Sequence, residues 1–321
     1  MVESLRPGQR VLLESLAWLA STEGTALYLV GGAVRDACAR RTPKHLDVAI
    51  EGVDPGQVAR RIAATWLDRV VQVQTWPDTR TARLDVPGLG HLDLVGCRKE
   101  FYPTPGARPV TEAGSLLDDL RRRDFTVNAI ALRLDWPLEA SQLQDPFGGR
   151  ADLAWKCLRS VHSGSYREDP ARVIRAARLA SRLGLSLAAG ELAAAAEGDL
   201  QLLADPRYSA HWQAIFSEFQ PGDVFLQLRR WALRLPWPFA VSRVGPLLRA
   251  DARRLVYGVS RTVYLALWVR CQPARLAEQQ LRAWGIPQAA VRLASQEVPR
   301  FYRGQERDFW HCLNPGRAAP C

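Results

Sequence analysis

The absences in this sequence narrow the reading first. Six cysteines, at 38, 97, 157, 271, 312 and 321, include no CxxC pair, and no apolar h-region precedes a cleavage site; they read as reduced thiols of a cytoplasmic protein. Arg, Asp or Glu interrupts every apolar stretch well short of the roughly 20 residues that cross a bilayer, which excludes a membrane-spanning helix. There is no convincing internal repeat and no low-complexity tract. What remains is a folded globular chain of 321 residues, 47% hydrophobic, long enough for one large domain or two ordinary ones.

Charge is plentiful and uneven. Forty-three Lys+Arg against 33 Asp+Glu give a net charge of +10 and a pI near 9.8, a balance that favours a polyanionic partner without locating a site.

Periodicity divides the chain. Val11, Leu12, Leu13, Leu16, Leu19 and Ala20 recur at helical spacing over 9–22, and a Ser-Thr-Glu-Gly turn leads into the β-rich run 26–30. Gly31-Gly32 follows that strand directly, and 33–39 reads as helix. Strands are expected over 45–50, 70–73, 80–84 and 90–95, with an amphipathic helix over 55–68. Thr104 to Arg108 is a Pro/Gly-rich loop, 116–123 is helical, and Gln144 to Gly149 is a turn cluster that marks a boundary. Beyond Arg167 the composition shifts to Ala, Leu and Arg, so the second half is expected to be mainly helical, broken near 235–246 by Pro236, Trp237 and Pro238.

Four stretches carry chemistry. In Leu29-Val-Gly-Gly-Ala-Val-Arg-Asp36, two glycines at a strand end let backbone N–H groups approach a triphosphate, and Arg35 adds charge. Taken alone, a Gly-Gly turn also serves any tight strand-to-helix connection. Asp47 on the next strand is placed to hold a metal against those phosphates. Asp93, on a strand that could lie beside the one bearing Asp47, would supply a second carboxylate for two-metal phosphoryl transfer; the alternative is an exposed strand aspartate. The run Asp118 to Ala129 ends in Asp124 and Asn128, a polar pair able to bond a ribose or hold a loop, with Arg122 and Arg123 able to meet phosphates. In Tyr166 to Arg178, Asp169 and Arg172 share a helical face and together could present a donor and acceptor edge to a base, or make only a surface salt bridge. Trp231, Trp237, Trp268, Trp284 and Trp310 fit a core better than a set of base-stacking platforms.

Taken in order, Gly31-Gly-Ala-Val-Arg-Asp36, Arg122-Arg-Asp-Phe-Thr-Val-Asn-Ala129, Asp145-Pro-Phe-Gly-Gly149 and Glu168-Asp-Pro-Ala-Arg172 resemble the bacterial-type (class II) tRNA nucleotidyltransferase and poly(A) polymerase family, which includes the CCA-adding enzymes. The likeness spans residues 28–185. It implies an α+β chain: a polymerase β-like nucleotidyltransferase head with a mixed β-sheet over 1–153, then an all-α neck and body over 154–321 that select the nucleotide and bind RNA. It implies addition of C and/or A from CTP and ATP to a tRNA 3′ end, with release of pyrophosphate, or poly(A) synthesis on another RNA. Gly31, Gly32, Arg35 and Arg123 would meet the triphosphate, Asp124 and Asn128 would sit near the ribose, and Asp169 and Arg172 would select the base. Asp47 and Asp93 would be the catalytic, metal-binding carboxylates, with Mg²⁺ as the expected ion.

One position departs from the family. Where the family has DxD, this chain has His45-Leu-Asp47, and imidazole is a poor substitute for an oxygen ligand to Mg²⁺. Three readings stay open: Asp47 and Asp93 bind enough metal, His45 recruits a softer ion such as Mn²⁺, or the chain is a catalytically impaired RNA-binding relative. The stretch 200–321 resembles the family only in being helical and basic. No His-Asp dipeptide occurs, so there is no sign of the phosphohydrolase domain that some members append.

Overall fold

A computed structural model describes residues 4–65, 72–87, 90–237 and 274–286, with Leu247, Leu248, Ala250, Asp251, Tyr264, Leu267 and Trp268 between the last two segments. The expected strand start at Val70, the end of the expected 55–68 helix, most of the 235–246 break, Cys271, Cys312, Cys321 and Trp310 lie outside the described residues. The chain divides into two compact units, Met1–Ser165 and Tyr166–Cys321.

The first unit is built on a seven-stranded sheet. Helix α1 (Pro7–Glu23) starts with proline in its first turn and ends at Gly24, whose φ of 64° stops it. Strand β1 (Ala26–Val30) follows, then α2 (Gly32–Cys38), β2 (Leu46–Glu51) and α3 (Pro55–Thr65). Strands β3 (Gln72–Trp76), β4 (Thr81–Val86) and β5 (Gly90–Gly96) come next, and later β8 (Ala131–Arg133) and β9 (Leu143–Gln144) complete the order β3-β4-β5-β2-β1-β8-β9. Only β2 and β5 pair in parallel; the other described pairings are antiparallel, so the sheet is mixed. A hairpin of β6 (Arg98–Phe101) and β7 (Val110–Ala113) flanks the Pro/Gly loop. Sequence patterning missed it because four residues on each side are too few to display a period. Helix α4 (Leu116–Arg121) is opened by a capping box, Ser115 Oγ accepting from the Asp118 N–H while Asp118 Oδ2 accepts from the Ser115 N–H.

Strand alternation assigns the two sheet faces. Leu27, Leu29, Leu46, Val48, Ile50, Leu84, Leu92 and Leu94 pack with Leu12, Leu13 and Leu16 of α1 and Val58, Ala59 and Ile62 of α3 into the main core. The opposite parity, Tyr28, Val30, Ala49 and Ala131, packs with Leu116 and Leu120 of α4. Asp47 and Asp93 belong to this second, less apolar face.

After α5 (Gly149–Ala154) and the short α6 (Ser165–Glu168), the second unit is mainly helical where described: α7 (Arg172–Leu183), α8 (Glu191–Ala196), α9 (Ser209–Ile215), α10 (Pro221–Arg230) and a further helix, Ala274–Ala283. Between α7 and α8 lies a short extended segment, Ser186–Leu187, and Gly190 at φ 85° stands at the start of α8. Trp212, Trp268 and Trp284 are fully buried and Trp237 nearly so. The rings of Trp212 and Trp284 stack at 5.3 Å, those of Phe225 and Trp268 at 4.2 Å. Among the described tryptophans these four build a core. No helix of the described residues is long and apolar enough to cross a membrane.

Candidate active site

Register places the charged residues in one row across the sheet. Val30 opposes Asp47, Asp47 opposes Asp93 on the parallel neighbour, and Arg83 opposes Asp93 from β4. Two carboxylates opposite each other repel, a pairing that packing alone would not select. The consequence is seen at Asp47: burial first, and Asp93 second, push its carboxyl above the usual value, opposed by Arg123, His45 and His91. Asp47 itself has no hydrogen-bond or ion-pair partner among the described residues.

Asp93 is in a different state. Arg83 Nε donates to its Oδ1 at 2.6 Å and a terminal nitrogen donates to Oδ2 at 2.9 Å, so both carboxylate oxygens are held by one guanidinium fork. The exposed indole of Trp76 lies 5.9 Å from the Arg83 guanidinium carbon.

The tripeptide His-Leu-Asp occurs twice, at 45–47 and 91–93. Because β2 and β5 run parallel in register, the repeat brings the two imidazoles together, stacked with centroids 4.9 Å apart. Sequence reasoning singled out His45 and missed His91, although the repeated tripeptide was there to be read. Arg83 was missed too: one arginine in a strand signals nothing until its cross-strand partner is known.

At the end of β1 the chain turns through Gly31, with φ 69° and ψ −134°. The positive φ favours glycine, and a Cβ there would lie 2.8 Å from a terminal nitrogen of Arg123 and push that guanidinium aside. Arg123 donates to Asp119 Oδ2 at 2.8 Å, and its Nε is buried without a partner. Burial pushes the Asp119 carboxyl up, but Arg123 and Arg122 outweigh it and hold it below the usual range. Arg122 is bonded to Asp119 and Glu100, whereas Arg123 places a terminal nitrogen beside Gly31 and its charge acts on Asp47.

Arg35 is buried, donating to Asp36 Oδ1 at 2.8 and 2.6 Å and to Asn128 Oδ1 at 2.6 Å. Asn128 in turn donates to Asp124 Oδ1 at 2.9 Å, and that oxygen also accepts from the Phe125 N–H. Arg35, Asn128 and Asp124, 93 residues apart at the extremes of the chain segment, form one network that ties α2 to the loop after α4. Asp145 accepts from the Gly149 and Arg150 N–H groups, closing the turn cluster onto the helix α5 (Gly149–Ala154).

Asp169 and Arg172 belong to the second unit. Asp169 Oδ1 accepts from the Ala171 N–H at 2.9 Å, just ahead of α7, and Arg172, the first residue of that helix, is buried with Glu168 3.5 Å away.

The side chains, as arranged, do not fit a pair of carboxylates sharing divalent ions. Position 45 offers an imidazole, Asp93 is taken by Arg83, and no group of three or more His, Cys, Asp or Glu among the described residues converges to hold a metal. Asp47 is the free oxygen donor of the row.

Three comparisons bear on this arrangement. A model of the poly A polymerase head domain matches residues 27–159. The chain is 42% identical over 228 residues to the CC-adding tRNA nucleotidyltransferase of Deinococcus radiodurans, covering 71% of this chain and 59% of that protein. It is 39% identical over 160 residues to the A-adding tRNA nucleotidyltransferase of Aquifex aeolicus, covering 50% of this chain and 19% of that protein. It therefore spans less than two thirds of either relative. A solved tRNA nucleotidyltransferase, complexed with a primer tRNA and an incoming ATP analog, shares the fold at a TM-score of 0.72 and 25% identity, over 91% of this chain and 85% of that one.

Proposed function

Because residues 27–159 are a poly A polymerase head domain and the chain is a relative of the tRNA nucleotidyltransferases, we propose that it is a template-independent RNA nucleotidyltransferase. It adds C and/or A from CTP or ATP to a tRNA 3′ end. The primer's terminal hydroxyl attacks the α-phosphate and pyrophosphate leaves. The observation that carries this reading is the juxtaposition of Gly31, Arg123, Asp47 and Asp93 around the end of β1.

The residue roles follow from their surroundings. The backbone at Gly31 and Gly32 and the Arg123 guanidinium receive the triphosphate. Asp124 and Asn128 sit near the ribose. Arg35, spent on Asp36 and Asn128, contributes by positioning Asn128 more than by direct charge. Asp169 and Arg172 select the base from the second unit, which with its basic composition also binds the RNA. Enzymes of this family use divalent metal ions; Asp47 is the ligand we assign here, with Mg²⁺ the first ion to try and Mn²⁺ the second because His45 stands beside it. A cytoplasmic setting rests on the scattered cysteines, of which Cys38, Cys97 and Cys157 are in no disulfide.

A second reading, an RNA-binding relative with impaired catalysis, is favoured by His45 in the place of a carboxylate; a poly(A) polymerase is the third. Labelled CTP and ATP, offered separately and together to tRNA lacking its 3′ CCA in Mg²⁺ and then Mn²⁺, separate them. Incorporation that falls on the order of a hundredfold or more in Asp47→Ala supports the enzyme and identifies its nucleotides. Absence of incorporation with either ion, by protein that still binds tRNA, supports the binding protein. Repeated ATP use on unrelated RNA supports the polymerase.

A further inference from the structure

Arg83 holds the two oxygens of Asp93 that a divalent ion would need, and no other described residue bonds them. The guanidinium fork takes two of the roughly four lone-pair sites of that carboxylate and sets a positive charge against it, so an ion binding there meets fewer free lone pairs and a like charge. The register explains why the arginine is there. Asp47 and Asp93 face each other on parallel strands, and with His45 in place of a third carboxylate the row lacks the charge density that draws an ion in. Arg83, one strand further out, supplies a cation from within the chain. Its head is 39% exposed and lies over the exposed Trp76 ring, which offers a resting place when the carboxylate is released.

We propose that Arg83 is an internal competitor for divalent cation at Asp93: an ion binding across Asp47 and Asp93 must displace the guanidinium or bind against its charge, and Arg83 thereby sets how much metal the head needs. The proposal rests on the nucleotidyltransferase reading only in taking Asp47 and Asp93 as the ion's ligands. Arg83 is a positioning residue; it acts on the ion through Asp93.

The test is direct Mn²⁺ binding, followed by loss of the free-ion electron paramagnetic resonance signal, in wild type, Arg83→Gln, Arg83→Lys, Asp47→Asn, and the double variant Arg83→Gln/Asp93→Asn. Arg83→Gln is expected to bind Mn²⁺ about tenfold or more tightly, the scale on which neighbours of a ligand tune affinity. Arg83→Lys, which keeps the charge but not the fork, should fall between it and wild type, and the double variant should lose the gain. Equal affinity in wild type and Arg83→Gln, with binding lost in Asp47→Asn, overturns the competitor and leaves the nucleotidyltransferase reading standing. No Mn²⁺ bound by any variant, Arg83→Gln included, overturns both.

Discussion

In the first unit Asp47 and Asp93 are kept opposite each other, half-buried, with an arginine fork on one and nothing on the other. In the second, Trp212, Trp268 and Trp284 are stacked out of water, and the indole N–H of Trp212 is satisfied by the Leu203 carbonyl at 2.9 Å. The second arrangement is what stability alone would select: large apolar area buried, each described polar atom of Trp212 bonded. The first is not. Like charges in register and a carboxyl pushed upward by burial are costs, and a sheet that retains them does so for a reason other than folding.

Substitution should therefore have opposite consequences in the two units. Trp212→Ala is expected to destabilise the protein by about 3–5 kcal/mol, seen as a lower denaturant midpoint; a change under about 1 kcal/mol would mean that this cluster is not the core it looks to be. Asp47→Ala should leave the fold intact while nucleotide incorporation collapses, so an Asp47→Ala protein that unfolds instead would erase the contrast. Asn128→Ala cuts the link between Arg35 and Asp124 and should cost about 1–3 kcal/mol, together with weaker nucleotide binding in a titration against CTP and ATP. That residue stands where the two categories meet, contributing to both.

The smallest effect has the most diagnostic sign. Asp47 titrates above its unfolded value in the folded protein. Below the unfolded value both states are protonated and the group contributes nothing; above the folded value the ionised form costs stability. Asp47→Asn removes that cost. Its melting temperature should exceed that of wild type at neutral pH, and the difference should close as the pH falls toward about 4. A variant less stable than wild type at neutral pH would place Asp47 among the structural residues after all.

Much of this was legible in the residues. The order of the motifs announced the family, strand-like runs located β1, β2 and β5, and Gly31-Gly32 announced a tight turn after a strand. The helical character of the second half followed from its Ala, Leu and Arg composition, although α7 begins only at Arg172, after a turn in which Asp169 accepts from the Ala171 N–H. The hairpin at 98–113 was lost because its strands are short.

What the sequence determined by itself was therefore the set of local decisions: which segments are strand or helix, which parity of each strand is apolar, where glycine is required, and that a histidine stands at position 45. Those decisions depend on near neighbours and on the two periods, 2 and 3.6, that a linear pattern records. Which strands would lie side by side was decided only in three dimensions. The parallel pairing of β2 with β5 set Asp47 beside Asp93 and His45 beside His91, and the antiparallel return of β4 laid Arg83 across Asp93. No pattern along one strand specifies its partner across a sheet, because register is fixed by the packing of whole faces.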